Sequence, residues 1–143
     1  MIIPDVNVLV GALQPDDPHH EQLVDWLGKA LNGDQKVGLS PSILSGVVRV
    51  LTNPRIFFDP PTAGLVLDRL DQMRSAPAAT IVIPGQRNWQ IFADLCRQSE
   101  ATGNLVSDAF HAALAIENQA LFVTLDRDFA KFSALRLASP LEQ

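Results

Sequence analysis

The chain has 143 residues, 47% of them hydrophobic and 19% charged, which excludes a disordered protein and suffices to bury a core without covalent staples. Its single cysteine, Cys96, excludes an internal disulfide framework and a multi-cysteine zinc site, and fits a reducing compartment. Sixteen acidic against 11 basic side chains leave a net charge of −5, which argues against a broad electrostatic nucleic-acid binder but permits a local basic path beside a metal-loaded acidic site.

In chain order, Ile2 to Val6 reads as a short buried strand running into Asp5 and Asn7. His19 to Leu31 carries Leu23, Trp26, Leu27, Ala30 and Leu31 at helical spacing and stops at Asn32-Gly33. Lys36 to Leu39 is a second strand. Ser42 to Leu51 is a helix ended by Asn53-Pro54, because a residue before proline avoids the helical region. Thr62 to Arg74 is a helix with Val66, Leu70 and Met73 on one side, and Thr80 to Ile83 is a third strand closed by Pro84-Gly85. Asn88 to Glu100 and the alanine-rich Asp108 to Asn118 are helices. Leu121 to Leu125 is a fourth strand ending at Asp126, and Leu135 to Leu137 closes an edge. Strands that alternate with helices and are apolar throughout imply a parallel sheet covered on both faces, a three-layer α/β/α domain over residues 1–143. No apolar run reaches the ~20 residues of a membrane span, and the start lacks the basic flank and long apolar stretch of a signal peptide, so a cytoplasmic protein without membrane contact is expected.

In parallel sheets, ligands bind outside the carboxyl ends of the strands. Asp5 and Asp126 fall at two such ends. Asp108 opens a helix in this reading, where capping alone would account for a carboxylate. Three acids from distant segments on one edge are harder to explain separately, because like charges raise each other's pKa and destabilise the fold unless a cation neutralises them. All-oxygen ligands suit Mg²⁺ or Mn²⁺, and such a centre polarises a phosphoryl oxygen and activates water. Spacing alone does not separate a nuclease from another phosphoryl-transfer enzyme.

The segments Ile3 to Val10 (Ile-Pro-Asp-Val-Asn-Val-Leu-Val), Asn104 to Ala109 (Asn-Leu-Val-Ser-Asp-Ala) and Val123 to Phe129 (Val-Thr-Leu-Asp-Arg-Asp-Phe) together resemble the PIN-domain ribonucleases, closest to the VapC-type toxins of bacterial type II toxin–antitoxin systems. The likeness spans essentially the whole chain, and Val48 to Arg55 also resembles a segment common in one branch of these toxins. It implies a parallel-sheet α/β/α fold, RNA cleavage with Mg²⁺ or Mn²⁺, a homodimer, and a cognate VapB-like antitoxin that wraps the active-site groove. By matching position, Asp5, Asp108 and Asp126 become the catalytic, metal-holding acids, with Asn7 and Ser107 as small polar neighbours that hydrogen-bond ligands or bound water.

One departure stands out. Many members carry a glutamate on the helix after the second strand, and here that place is read as Leu44, with no acid between Asp34 and Asp59. Three readings stay open: Asp128 points into the same site, one metal suffices with three acids and water, or catalysis is weakened. For Asp128 alone, capping the turn at Phe129 to Phe132 is the simpler role. Ser42, Ser45, Gly46 and Arg49 form a polar stripe, either a solvated face or a cleft wall from which Arg49 contacts RNA phosphate. His111, three residues after Asp108, is read as packing or capping locally rather than as an acid or base. His19 and His20 belong to a helix start beside Asp16 and Asp17, and Trp26, Trp89 and the phenylalanines are read as core or dimer contacts.

The principal expectation is a metal-dependent endoribonuclease toxin. The alternative is a catalytically weak PIN-like module whose main role is binding an antitoxin peptide, which the missing glutamate favours. A phosphatase of the haloacid dehalogenase type is disfavoured, because Asp5-Val6-Asn7 imitates its opening motif but Lys29, Lys36 and Lys131 lie in no matching segment.

Overall fold

A computed structural model describes residues 1–142. Five strands, β1 (Ile2–Pro4), β2 (Val37–Leu39), β3 (Ala79–Ile81), β4 (Leu121–Val123) and β5 (Arg136–Ala138), form one sheet in the order β3-β2-β1-β4-β5, with every pairing parallel. Six helices connect and cover it: α1 (Val6–Leu13), α2 (His20–Leu31), α3 (Pro41–Leu51), α4 (Ala63–Arg74), α5 (Asn88–Ser99) and α6 (Asn104–Glu117). The expected three-layer α/β/α architecture is present. Among the described residues, no helix is long and apolar enough to cross a membrane.

The order of strands positions the site. From β1 the chain builds outward through β2 and β3, then returns to the other side of β1 with β4 and β5. The winding reverses between β1 and β4, whose register pairs Ile2 with Leu121 and Pro4 with Val123. At such a switch point the connections leave in opposite directions and open a crevice at the carboxyl ends. Asp5 follows β1, and Thr124 and Asp126 follow β4. Beneath them Ile3, Phe122, Leu9 and Phe129 are fully or almost fully buried, each contributing about 1.5–3 kcal/mol by leaving water. This packing makes the floor of the crevice rigid.

Three boundaries differ from the sequence reading. The apolar opening is not one strand: the chain turns at Asp5 and continues as α1, whose Val8 to Ala12 are all buried. A helix buried on every side lacks the amphipathic period that reveals a surface helix, and its three valines favour a strand reading. The last helix begins at Asn104, not Asp108, because Gly103 supplies the turn at φ 57°, a conformation costly for other residues. Finally, Asp126 rather than Asp128 caps the short 3-10 helix over Arg127–Lys131.

Candidate active site

Asp5 is a buried carboxylate held at both oxygens. Its backbone N–H donates to the Val123 carbonyl (2.8 Å), tying it to β4, and its extended backbone lets it cap α1. The two carboxylate oxygens are separately engaged. Oδ1 accepts from the Val6 N–H at 2.7 Å, and Oδ2 accepts from the Thr124 hydroxyl at 2.6 Å. Thr124 in turn accepts from Asn7 Nδ2 (3.2 Å) and the Asp126 N–H (3.0 Å), while Asn7 Oδ1 accepts from the Leu125 N–H (3.2 Å). One hydroxyl donor and two lone pairs are thus all used, and the ends of β1 and β4 are stitched together. Asn7 thus reaches Asp5 only through Thr124 and bonds none of the three acids itself. Thr124, buried and central, was not singled out from sequence; a polar residue interrupting an apolar strand just before Asp126 was the available signal.

Asp126 accepts the Asp128 N–H at 2.9 Å, so this capping bond fixes one of its oxygens. Asp108 is held differently. It sits one turn inside α6, so capping does not explain it, and no hydrogen bond reaches its carboxylate among the described contacts. Half-burial first, and then repulsion from Asp126, Asp5 and Asp128, together push its pKa up to about 6. Burial likewise raises Asp5; its bonds to Thr124 and Val6 and the nearby His111 pull in the other direction, and Asp126 raises it.

These acids line one cleft of about 620 Å³ together with Asn7, Ser107, Asp128, Arg49, Asp17 and His111. Every site residue expected from sequence therefore reaches the same cleft. Ser107 and Asp128 are exposed on its rim, and Arg49 is exposed and belongs to none of the three ion pairs found among the described residues. Asp17 is an additional acid that sequence reasoning assigned only to a helix start. His111 is half-buried in the cleft wall rather than packed away, and burial lowers its pKa while Asp5 opposes that shift.

The reading of Leu44 needs correction. It lines a mainly apolar groove with Pro41, Val48, Leu67, Leu70 and Ile81, which contains none of the site carboxylates and shares only Arg49 with the cleft. Arg49 and Val50 are the α3 residues lining the cleft, and Gly46 packs against Val6 beside Asp5. Positions 44 and 46 differ by about 200° around a helix, which puts them on opposite sides. A Cβ on Gly46 would stand 3.0 Å from Val6 Cγ2, so α3 approaches α1 closely here and a larger residue would need the Val6 side chain to shift by a few tenths of an ångström. Of the two roles expected for Trp89, core or dimer contact, its 72% exposure excludes the core, although its ring meets Phe92 at 5.5 Å.

The donor set, carboxylates that repel one another, is the chemistry a hard divalent cation requires. No group of three His, Cys, Asp or Glu side chains among the described residues is placed so that it could hold one ion, so ligation requires a side chain to turn. Asp108, free of hydrogen bonds, is the one that can turn at least cost.

The PIN domain family matches residues 2–135 of the chain. The chain is 39% identical over 142 residues to VapC ribonuclease Mb2897 of Mycobacterium bovis, covering 99% of this chain and 97% of the relative. It is 31% identical over 140 residues to ribonuclease VapC25 of Mycobacterium tuberculosis, covering 98% and 99%. Among solved structures, VapBC2 from Rickettsia felis, bound to a DNA fragment from its promoter, has a similar fold, with TM-score 0.71, 19% identity, and 97% and 98% of the two chains covered. VapC20 of Mycobacterium tuberculosis gives TM-score 0.67 and 18% identity, covering 95% and 99%. With a family match over nearly the whole chain and full-length relatives at this identity, the protein belongs to the PIN-domain family of VapC ribonucleases.

Proposed function

We propose that the chain is a metal-dependent endoribonuclease, the toxin of a type II toxin–antitoxin system, hydrolysing RNA phosphodiester bonds with Asp5, Asp108 and Asp126 holding Mg²⁺ or Mn²⁺. The observation that carries this reading is the meeting of three carboxylates, from the end of β1, α6 and the end of β4, in one cleft at the switch point of the sheet, where the Asp126 charge raises the proton affinity of both Asp5 and Asp108. A bound divalent cation would polarise the scissile phosphate and activate the attacking water.

The chain's own residues do the rest. Thr124 and Asn7 hold Asp5 with one oxygen lone pair of each carboxylate arm still free, and Asp126 stays oriented by its cap to Asp128. Arg49, exposed in the cleft and unpaired among the described residues, binds an RNA phosphate as a sequence-independent contact. The acidic net charge is compatible with this, since positive charge is needed only along the path of the backbone.

A VapB-like antitoxin partner is supported by the similarity to solved VapBC complexes. A homodimer is supported by the exposed apolar side chains Ile81, Ile83 and Trp89 on β3, the loop after it and α5. The lack of an acid on the cleft side of α3 favours a second reading, in which the domain binds an antitoxin peptide but cleaves weakly or not at all.

Induced expression of the chain in a bacterial host separates the two. The ribonuclease reading predicts growth arrest with new RNA 5′ ends, both lost on Asp5→Asn. Arrest that persists in Asp5→Asn, or intact RNA in arrested cells, contradicts it.

A further inference from the structure

We propose that the cavity beyond Asp126 is a nucleobase pocket, which takes the base of a nucleotide next to the cut and gives the reaction its sequence preference. This rests on the reading of the carboxylate cleft as the place of RNA cleavage and deepens it by naming a subsite for the substrate.

The cavity, of about 540 Å³, lies at the carboxyl ends of β4 and β5 and shares Leu125 and Asp126 with the cleft, so the two are continuous. A bond from the Thr124 N–H to the Ala138 carbonyl (3.1 Å) ties these strand ends together. Asp5, Asp126 and Ser139 follow β1, β4 and β5, three neighbours in the sheet, and neighbouring strands stand about 4.8 Å apart. The cavity is therefore one strand beyond Asp126 and two beyond Asp5, beside the place of the scissile phosphate. Arg49 reaches the cleft from α3, the helix after β2, and β2 lies on the other side of β1. Arg127 lines the cavity, is exposed and forms no ion pair among the described residues. A single strand running from Arg49 to Arg127 thus crosses the acids and has phosphate contacts on both sides of them.

The lining suits a base rather than a phosphate. Leu125, Ala130, Leu137 and Leu141 offer apolar surface to a ring face. The Ser139 hydroxyl accepts from the Leu141 N–H at 3.2 Å, which leaves its own O–H to donate to a base edge. Apolar walls with a few placed polar groups are the pattern of a ligand pocket, and unpaired RNA bases are read by face and edge contacts of this kind. Asp126 and Glu142 in the lining repel a phosphate, so the uncharged base enters while its phosphate stays at Arg127. Continuity with the cleft and the arginine on each flank favour RNA over a protein occupant.

The test uses the full chain and total bacterial RNA with Mn²⁺ or Mg²⁺, sequencing the new 5′ ends made by the wild type, Ala130→Phe and Leu141→Ala. Ala130 is exposed, so its replacement fills the cavity without disturbing the core, whereas Leu141→Ala removes a wall. The wild type should show a base preference at a position adjoining the cut, and both variants should lose it there while preferences elsewhere persist. A short single-stranded RNA spanning that cut, abasic at the preferred position, should be cleaved about tenfold less efficiently by the wild type, through KM rather than kcat. Ala130→Phe should cleave the abasic and intact RNAs within about twofold of each other. A preference and an abasic penalty that both variants retain overturn the pocket, leave it to a protein partner and let the ribonuclease reading stand. Failure of the wild type to cleave RNA with either ion overturns both.

Discussion

The two halves of the cleft are built in opposite ways. On the strand side, Asp5 is buried, both oxygens are bonded, and Thr124 and Asn7 lock it to β4. On the helix side, Asp108 is half-exposed and unbonded, and burial together with the like charge around it raises its pKa to about 6. One half is fixed before any ligand arrives and the other is poised to respond to one. A centre of this kind needs both: a rigid reference that sets where the cation sits, and a carboxylate free to complete the ligand set without breaking existing bonds.

The largest expected effects come from removing either acid. Asp5→Asn and Asp108→Asn should each lower RNA cleavage by about 100-fold or more, the scale seen when a principal electrostatic group is lost from an active site. They should differ in stability. Asp108→Asn removes an unrelieved charge and should raise the melting temperature at pH 7, whereas Asp5→Asn also disturbs the bonds to Val6 and Thr124. Equal stability changes in both would erase the contrast between the halves.

Thr124→Val tests the fixed half alone. Asp5 Oδ2, Asn7 and the Asp126 N–H all lose a partner, so we expect about 1–3 kcal/mol of destabilisation from buried groups left unpaired. Cleavage should fall about tenfold, as for other residues that orient a ligand rather than form one. Chemical denaturation and initial rates read the two effects separately.

A smaller effect sharpens the poised half. A carboxyl whose pKa is raised on folding favours the folded state when protonated, so its contribution weakens as pH rises. Between pH 4 and about 6, the wild type should lose stability relative to Asp108→Asn, and added Mn²⁺ should recover it in the wild type only. Thermal melts across that range, with and without the ion, provide the check. The smallest effect is at the rim: Arg49→Ala should weaken binding of a non-cleavable RNA uniformly across sequences and reduce the salt slope by about 1.

Much of this arrangement was legible in the sequence because it depends on strand ends. Asp5 and Asp126 terminate apolar runs, and a parallel sheet brings such ends to one edge, so these two acids were placed without coordinates. Asp108 was grouped with the other two acids on one edge and given its role by family likeness, but its local structure was misread as a helix start, because the turn at Gly103 and the first turn of α6 carry no strong capping side chain. Helix α1 was hidden by its own burial. Leu44 was read as the glutamate's place although α3 presents the side of Gly46 and Arg49 there; the polar stripe offered that side as one of two readings, and the contact of Gly46 with Val6, a tertiary fact, decides between them. Thr124 and Asp17 escaped for a related reason: their roles arise only when distant segments meet, 119 residues apart for Thr124 and Asp5.

The most direct measurement is cleavage of total bacterial RNA by the purified, folded chain with Mn²⁺ or Mg²⁺, run beside EDTA and Asp108→Asn controls. The account predicts discrete fragments that require both the ion and Asp108. Cleavage that persists in EDTA or in Asp108→Asn would contradict the claim that these carboxylates act by holding a divalent cation.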